Sequence, residues 1–118
     1  MIVSAGNQET FTFAKSIGVG LVSSAINLTK ICLFNRPEFI LFIGSAGSYG
    51  NHKIFDIVES KNSSNIEMSF LENFSYTPID NAVRIDTNLT KSEVVVNSSN
   101  YISTNQTYQK SFYNTMSN

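Results

Sequence analysis

The sequence predicts an α/β protein, a three-layer sandwich with a mixed, largely parallel central sheet, built as one domain over residues 1–118. Three observations predict it. Residues 38–43, Glu-Phe-Ile-Leu-Phe-Ile, form an apolar run that empties into Gly-Ser-Ala-Gly-Ser-Tyr-Gly at 44–50. A strand apolar on both faces must be covered on both faces, which places it inside an α/β sheet rather than at a half-wet edge. Ahead of it, Leu21, Val22, Ala25, Ile26, Leu28, Thr29 and Cys32 recur at the spacing of a buried helix. Further apolar and β-branched runs occur before and after this pair.

Taken in order, Met1 to Gly6 reads as a short strand and Asn7 to Glu9 as a turn. Phe11, Phe13 and Ile17 carry the apolar side of a second extended piece, closed by the Gly18-Val19-Gly20 turn. The helix from Leu21 to Phe34 stops at Asn35-Arg36-Pro37, because proline disfavours the α conformation at the residue before it. Helix, short loop and the strand at 38–43 then make one right-handed crossover. Lys53 to Glu59, with Ile54, Phe55, Ile57 and Val58 around Asp56, reads as another strand. Asn62 to Asn65 is a polar break, and Ile66 to Phe74 a strand or an irregular piece. Pro78 and Asp80-Asn81 signal a loop within 76–85. Glu93 to Val96 is a further β-branched run that opens into a polar loop at 97–100, and 103–118 shows no period. No repeat and no linker dividing two domains is found.

Composition narrows the function classes. A chain of 118 residues supports one domain with a small core. Hydrophobic content of 42% against 14% charged residues supplies enough apolar surface to offset the entropy of ordering, which argues for a folded chain. A net charge of −1 without a basic cluster offers no footing for nucleic acid or for a polybasic membrane contact. No run is long enough to span a bilayer and Met1 to Gly6 lacks the pattern of a signal peptide, so the expected location is the cytoplasm. The Asn-X-Ser/Thr triplets at Asn27, Asn62, Asn73, Asn88, Asn97 and Asn105 read as a by-product of a chain rich in Asn, Ser and Thr. The lone Cys32 reads as a buried small hydrophobe. Metal-ligand spacing is absent, and no cofactor is expected.

The loop at 44–50 is the candidate site. It leaves the carboxyl end of a strand, where open α/β sheets bind ligands, and its glycines let a ligand approach backbone N–H groups without meeting a Cβ. His52 beside it reads as a surface histidine, Asp56 as solvated or capping a backbone group, and Arg84 as a surface residue. Glu67, Glu72, Asp80, Asp86 and Glu93 read as solvated carboxylates. Phe112 and Tyr113 pack on the domain or on a second subunit, two alternatives that the sequence leaves open.

The ordered set Ile17-Gly18-Val19-Gly20-Leu21 before a helix, then Arg36-Pro37-Glu38-Phe39-Ile40-Leu41-Phe42-Ile43-Gly44-Ser45-Ala46-Gly47, then Phe55-Asp56-Ile57-Val58, resembles the phosphorylase/nucleosidase superfamily acting on purine nucleosides. The flavour is that of purine nucleoside phosphorylases and methylthioadenosine/S-adenosylhomocysteine nucleosidases. The likeness covers residues 17–60 and, more faintly, 94–102. It implies that Ser45, Ala46 and Gly47 lie under the ribose and the attacking water or phosphate, and that Gly18 and Gly20 border the nucleophile side. It implies further that Tyr101 and Ile102 stack on the purine, whose flat π surface an aromatic ring covers well. The partners implied are a purine nucleoside or base, phosphate in the phosphorylase case, and further copies of the chain in a homo-oligomer.

Two departures qualify the likeness. Phosphorylases of this kind place an arginine three residues before the serine of the loop, and here that position is Phe42. An apolar side chain cannot neutralise phosphate, so water is the favoured nucleophile. The family's ribose-gripping glutamate and its acid aspartate have no counterpart after Ile102, so the chain reads as a shortened member. Breaking an N-glycosidic bond needs a proton or hydrogen bond for the leaving purine and compensation of positive charge on the ribose. Two functions are therefore expected in competition: cleavage of a purine nucleoside, or a catalytically silent nucleoside-binding or structural domain.

Overall fold

Two three-stranded sheets and three helices make up the computed structural model, which describes residues 1–116. The chain is mixed α/β with mostly parallel pairing, and it forms two units, Met1–Ala46 and the chain from Gly47 onward.

In the first unit β1 (Ile2–Ser4) lies between β2 (Lys15–Ser16) and β3 (Leu41–Phe42), and both pairings are parallel. Val3 stands opposite Lys15 on one side and Phe42 on the other. Helix α1 (Leu21–Asn35) carries the chain from β2 past β1 to β3, the long connection that strands running the same way require. Its end follows the predicted mechanism. Arg36 adopts a left-handed conformation at φ 43° and its N–H donates to the Cys32 carbonyl, after which Pro37 bars another turn. Backbone bonds extend the ladder beyond the regular strands: Ile17 N–H donates to Ser4 O and Ile43 N–H to Val3 O, both at 2.9 Å. Val3 and Ile17 are the buried apolar residues of this unit.

The run at 38–43 is not the central strand. β1 has two neighbours and β3 has one, and Leu41 and Phe42 are 45% and 56% exposed. An apolar run states that its faces gain from cover, but the number of hydrogen-bonded neighbours is set by chain topology, which here inserts β1 between the other two. Among the described residues this unit has a single helix, so its sheet lacks a helix for each face. Cys32 is half-buried rather than buried. Phe11 and Phe13 lie in a turn with ring centroids 5.4 Å apart, and only Lys15–Ser16 of the predicted second piece is a strand.

In the second unit β4 (Asn62–Ser64) is the middle strand, antiparallel to β5 (Ala82–Arg84) and parallel to β6 (Val95–Asn97). The predicted polar break is thus the centre of this sheet, and the predicted loop at 76–85 contains β5. Polar residues hold that position because their side chains are bonded across it. Ser64 Oγ–H donates to Asn97 Oδ1 at 2.7 Å, the same oxygen accepts the Ile66 N–H at 2.8 Å, and Asn97 Nδ2 donates to Ile66 O at 2.9 Å. Helix α2 (Met68–Leu71) replaces the strand or irregular piece expected at 66–74.

Lys53 to Glu59 is not a strand. The Asp56 carboxylate accepts the Lys53 N–H at 2.8 Å while the Asp56 N–H donates to the Lys53 carbonyl at 3.1 Å. A short acidic side chain offers the backbone a local alternative to a ladder, and the result leaves Phe55 at φ 74° with Phe55 and Ile57 almost wholly exposed. The aperiodic tail contains helix α3 (Gln106–Met116), opened by the Asn105 carbonyl side chain accepting the Thr107 N–H at 2.8 Å. Phe112 is buried and stacks on Tyr49 at 5.1 Å, so it packs within its own unit.

Candidate functional site

Because all three strands of the first sheet run the same way, the loops leaving their carboxyl ends emerge along one edge: 5–9 after β1, 17–20 after β2 and 43–46 after β3. Ligands of open α/β sheets bind along such an edge where the connections diverge to either side. Here β1 connects outward to β2, while α1 carries the chain back to the opposite side at β3.

The loop after β1 turns sharply at Gly6, which is buried at φ 87°. A Cβ there would stand 2.9 Å from the Ser16 Cβ, so both conformation and space require glycine. Asn7 follows at φ 58°, and the Glu9 N–H closes the turn on the Gly6 carbonyl at 3.0 Å. This turn delivers the Glu9 side chain to the loop after β3. Glu9 Oε1 accepts the Ser45 N–H at 2.9 Å and also the Ser45 hydroxyl. At Gly44 a Cβ would lie 2.9 Å from Glu9 Oε2, so the bare backbone there admits the carboxylate. The Ser45 hydroxyl and then the Ser45 amide hold the Glu9 carboxyl below its ordinary range, opposed by a small effect of burial.

The loop after β2 is fastened to α1. Ser24 Oγ–H donates to Gly18 O at 3.0 Å, Asn27 Nδ2 donates to Ile17 O at 2.8 Å, and a Cβ on Gly18 would meet the Ser23 Cβ at 2.8 Å. Gly20 has open space around it and serves by its φ of 90°, which starts the helix.

Of the residues nominated by sequence, Gly18, Gly20, Ser45 and Ala46 share this edge. Gly47, Tyr101 and Ile102 belong to the second unit, where all three are exposed and the Tyr101 carbonyl accepts the Ser99 hydroxyl at 2.9 Å. The loop's amide is not open to an incoming anion, as the glycine-rich pattern suggests, because an internal carboxylate already holds the Ser45 N–H. Glu9 is the residue that sequence reasoning passed over. A signal was present: within the first 46 residues only Glu9 and Glu38 are acidic, and Glu9 stands three residues after a glycine at a strand end.

Other features are less built. In the second unit Asn65, Glu67, Phe70, Tyr76, Asp80 and Asn81 border an open cleft of about 210 Å³, below the usual size of ligand pockets. His52 Nδ1 lies 3.8 Å from Asp56 Oδ2 with both side chains half in solvent. Among the described residues no three His, Cys, Asp or Glu side chains gather as a metal site, and no helix is long and apolar enough to cross a membrane. Comparison with known protein families, characterised proteins and solved structures gives no match to this chain.

Proposed function

We propose that the carboxyl edge of the β2–β1–β3 sheet receives a purine nucleoside and serves cleavage of its N-glycosidic bond by water. The observation that carries this reading is the Glu9 carboxylate clasped by Ser45 between two loops at that edge. Hydrolysis forms a bond from the water oxygen to the ribose carbon and breaks the bond from that carbon to the purine nitrogen, whose electron pair leaves with the base. The water gives up one proton and the purine gains one. An ionised carboxylate, kept so by two donors, can orient the water and offset positive charge on the sugar, while the water's proton passes to solvent. The same negative charge opposes phosphate, in agreement with the apolar side chain at Phe42. The resemblance adds the purine as leaving group, Ser45 and Ala46 beneath the ribose, and Gly18 and Gly20 on the nucleophile side. It also adds a three-layer, nucleoside phosphorylase-like sandwich as the architecture to which the first sheet would belong.

A second reading, nucleoside binding without turnover, is favoured by one observation. The acidic side chains Asp80, Asp86, Glu72 and Glu93 are exposed, so none stands in a water-excluded setting from which to donate a hydrogen bond to a leaving base. Release of free base from a panel of purine nucleosides, followed chromatographically, tests the first reading. Base release that falls about 10²-fold in Glu9→Gln is the expected result. Calorimetric binding of adenosine or adenine with no release supports the second reading, and neither heat nor release overturns both.

A further inference from the structure

The two sheets repeat one device. Each places its earliest strand in the centre, in the orders β2–β1–β3 and β5–β4–β6, and runs that strand parallel to its last, with Val3 opposite Phe42 and Ser64 opposite Asn97. In each, the loop leaving the central strand carries a glutamate that accepts the N–H of the third residue beyond the parallel neighbour. Glu9 takes Ser45 in the first sheet, and Glu67 Oε1 takes the Asn100 N–H at 2.5 Å in the second. Glu67 is half-buried, so this bond fixes a carboxylate at the carboxyl edge of β4 and β6, the edge where open sheets take ligands.

The second edge is also concave. β5 enters the sheet where β4 leaves it, Ala82 opposite Ser64, and the cleft of about 210 Å³ opens there, with Asn65 and Glu67 following β4 and Asp80 and Asn81 preceding β5. Its polar groups select for positive charge. The Ser69 and Ser75 hydroxyls bond to each other at 2.8 Å, the Thr77 hydroxyl donates to Ile79 O at 3.1 Å, and the Asn65 side-chain amide donates to Ser98 O. These donors, which would otherwise receive an anion, are spent within the chain. Glu67 Oε2 and the Asp80 carboxylate have no hydrogen-bond or ion-pair partner among the described residues, and no Lys, Arg or His lines the cleft. Phe70 and Tyr76 on the same walls are 37% and 85% exposed, so their rings are not used up in core packing. Ring faces beside carboxylates attract an organic cation.

We propose that this cleft binds a small alkylammonium ion, its charge set against Glu67 and Asp80 and its alkyl part against Phe70, Tyr76 and Ile79. The volume suits a ligand of a few heavy atoms and is too small for a nucleoside. Because the Asn100 amide already holds Glu67 in place, little ordering remains to be done when the cation arrives. This inference concerns the second unit alone and is independent of the function proposed above.

Two-dimensional ¹⁵N–¹H NMR of the full chain, titrated with choline, with n-butylammonium and with 3,3-dimethylbutan-1-ol, the neutral isostere of choline, tests it. Saturable shifts of the Asn65, Thr77, Ile79 and Asn100 amides are expected with the cations and not with the alcohol. The tighter of the two cations then tells a methylated head from a primary one. Glu67→Gln keeps an acceptor for the Asn100 N–H and is expected to weaken binding about tenfold. Asp80→Asn, at an exposed position with no bond to lose, is expected to weaken it as well and repeats the test free of any effect on folding. Asp86→Asn, an equal change of charge outside the cleft, is expected to leave binding unchanged. No saturable shift with either cation overturns the proposal, as does equal binding of the alcohol or equal weakening by Asp80→Asn and Asp86→Asn.

Discussion

Ser45 gives both its amide and its hydroxyl proton to one carboxylate oxygen of Glu9, thirty-six residues away in sequence, and so ties the loop leaving β3 to the turn leaving β1. The bond is charge-assisted, the stronger kind of hydrogen bond, and it joins two segments that the short strands alone would leave loosely related. Its consequence for pH follows from the direction of the shift. The folded Glu9 carboxyl titrates below its ordinary value, so the unfolded chain takes up this proton first as the solution is acidified. The contribution is whole above the ordinary carboxylate range and is lost as pH falls through the folded-state value. Chemical denaturation across the acidic range is expected to show the wild-type chain losing stability more steeply than Glu9→Gln. Parallel curves for the two would remove Glu9 as the cause.

Gly6→Ala tests the turn that aims Glu9. Its φ of 87° and the 2.9 Å approach to Ser16 both oppose a Cβ. A loss of at least ~1 kcal/mol in unfolding free energy is expected. Gly47→Ala, where a Cβ meets nothing and φ is not positive, is expected to change little in the same titration.

Asn97 is the polar pin of the second sheet, accepting from Ser64 and Ile66 and donating to Ile66. Asn97→Ala leaves half-buried polar groups without partners and is expected to cost about 1–3 kcal/mol, read from urea unfolding. Asn97→Asp keeps the acceptor and loses the donor, so it is expected to fall between Ala and the wild type at neutral pH.

Phe112→Ala removes the buried ring of α3 that stacks on Tyr49. Gly50 lies close by, where a Cβ would stand 2.6 Å from the Tyr113 ring. A loss of about 3 kcal/mol is expected, accompanied by faster limited proteolysis within 47–52. Unchanged proteolysis would show that α3 does not hold this loop.

Burial also strands a polar atom in the first sheet. Ser4 Oγ is buried without a hydrogen-bond partner among the described residues. Ser4→Ala removes a hydroxyl that is desolvated for no return, and its melting temperature is expected to equal or exceed that of the wild type.

Where an element is specified by its own residues, sequence and structure agree. Helix α1 starts and stops where Gly20 and Arg36-Pro37 place its ends, β1 lies within Met1 to Gly6, and β6 begins within the β-branched run before Asn97. Where an element depends on distant partners, they part. The apolar run at 38–43 shows no sign in its residues that β1 would take the central place, and Asn62-Ser63-Ser64 shows none that Asn97 would satisfy Ser64 from across a sheet. Asp56 misleads in the opposite sense, since its bond to Lys53 is local but the apolar residues around it dominate a pattern reading. The candidate edge was half legible. Gly18, Gly20 and Ser45 announce themselves as loop residues at strand ends, whereas the Glu9–Ser45 bond needs the parallel register of β1 and β3 to bring the loops together.

By itself the sequence determined the α/β class, the span of helix α1 though not its exposure, and the glycine turns, because each rests on periodicity or on φ preferences carried by neighbouring residues. Only the tertiary structure decided which strand is central, that the sheets are two, and that Glu9 meets Ser45. These depend on contacts between residues far apart in the chain, and local propensity carries no information about which distant group completes a hydrogen bond.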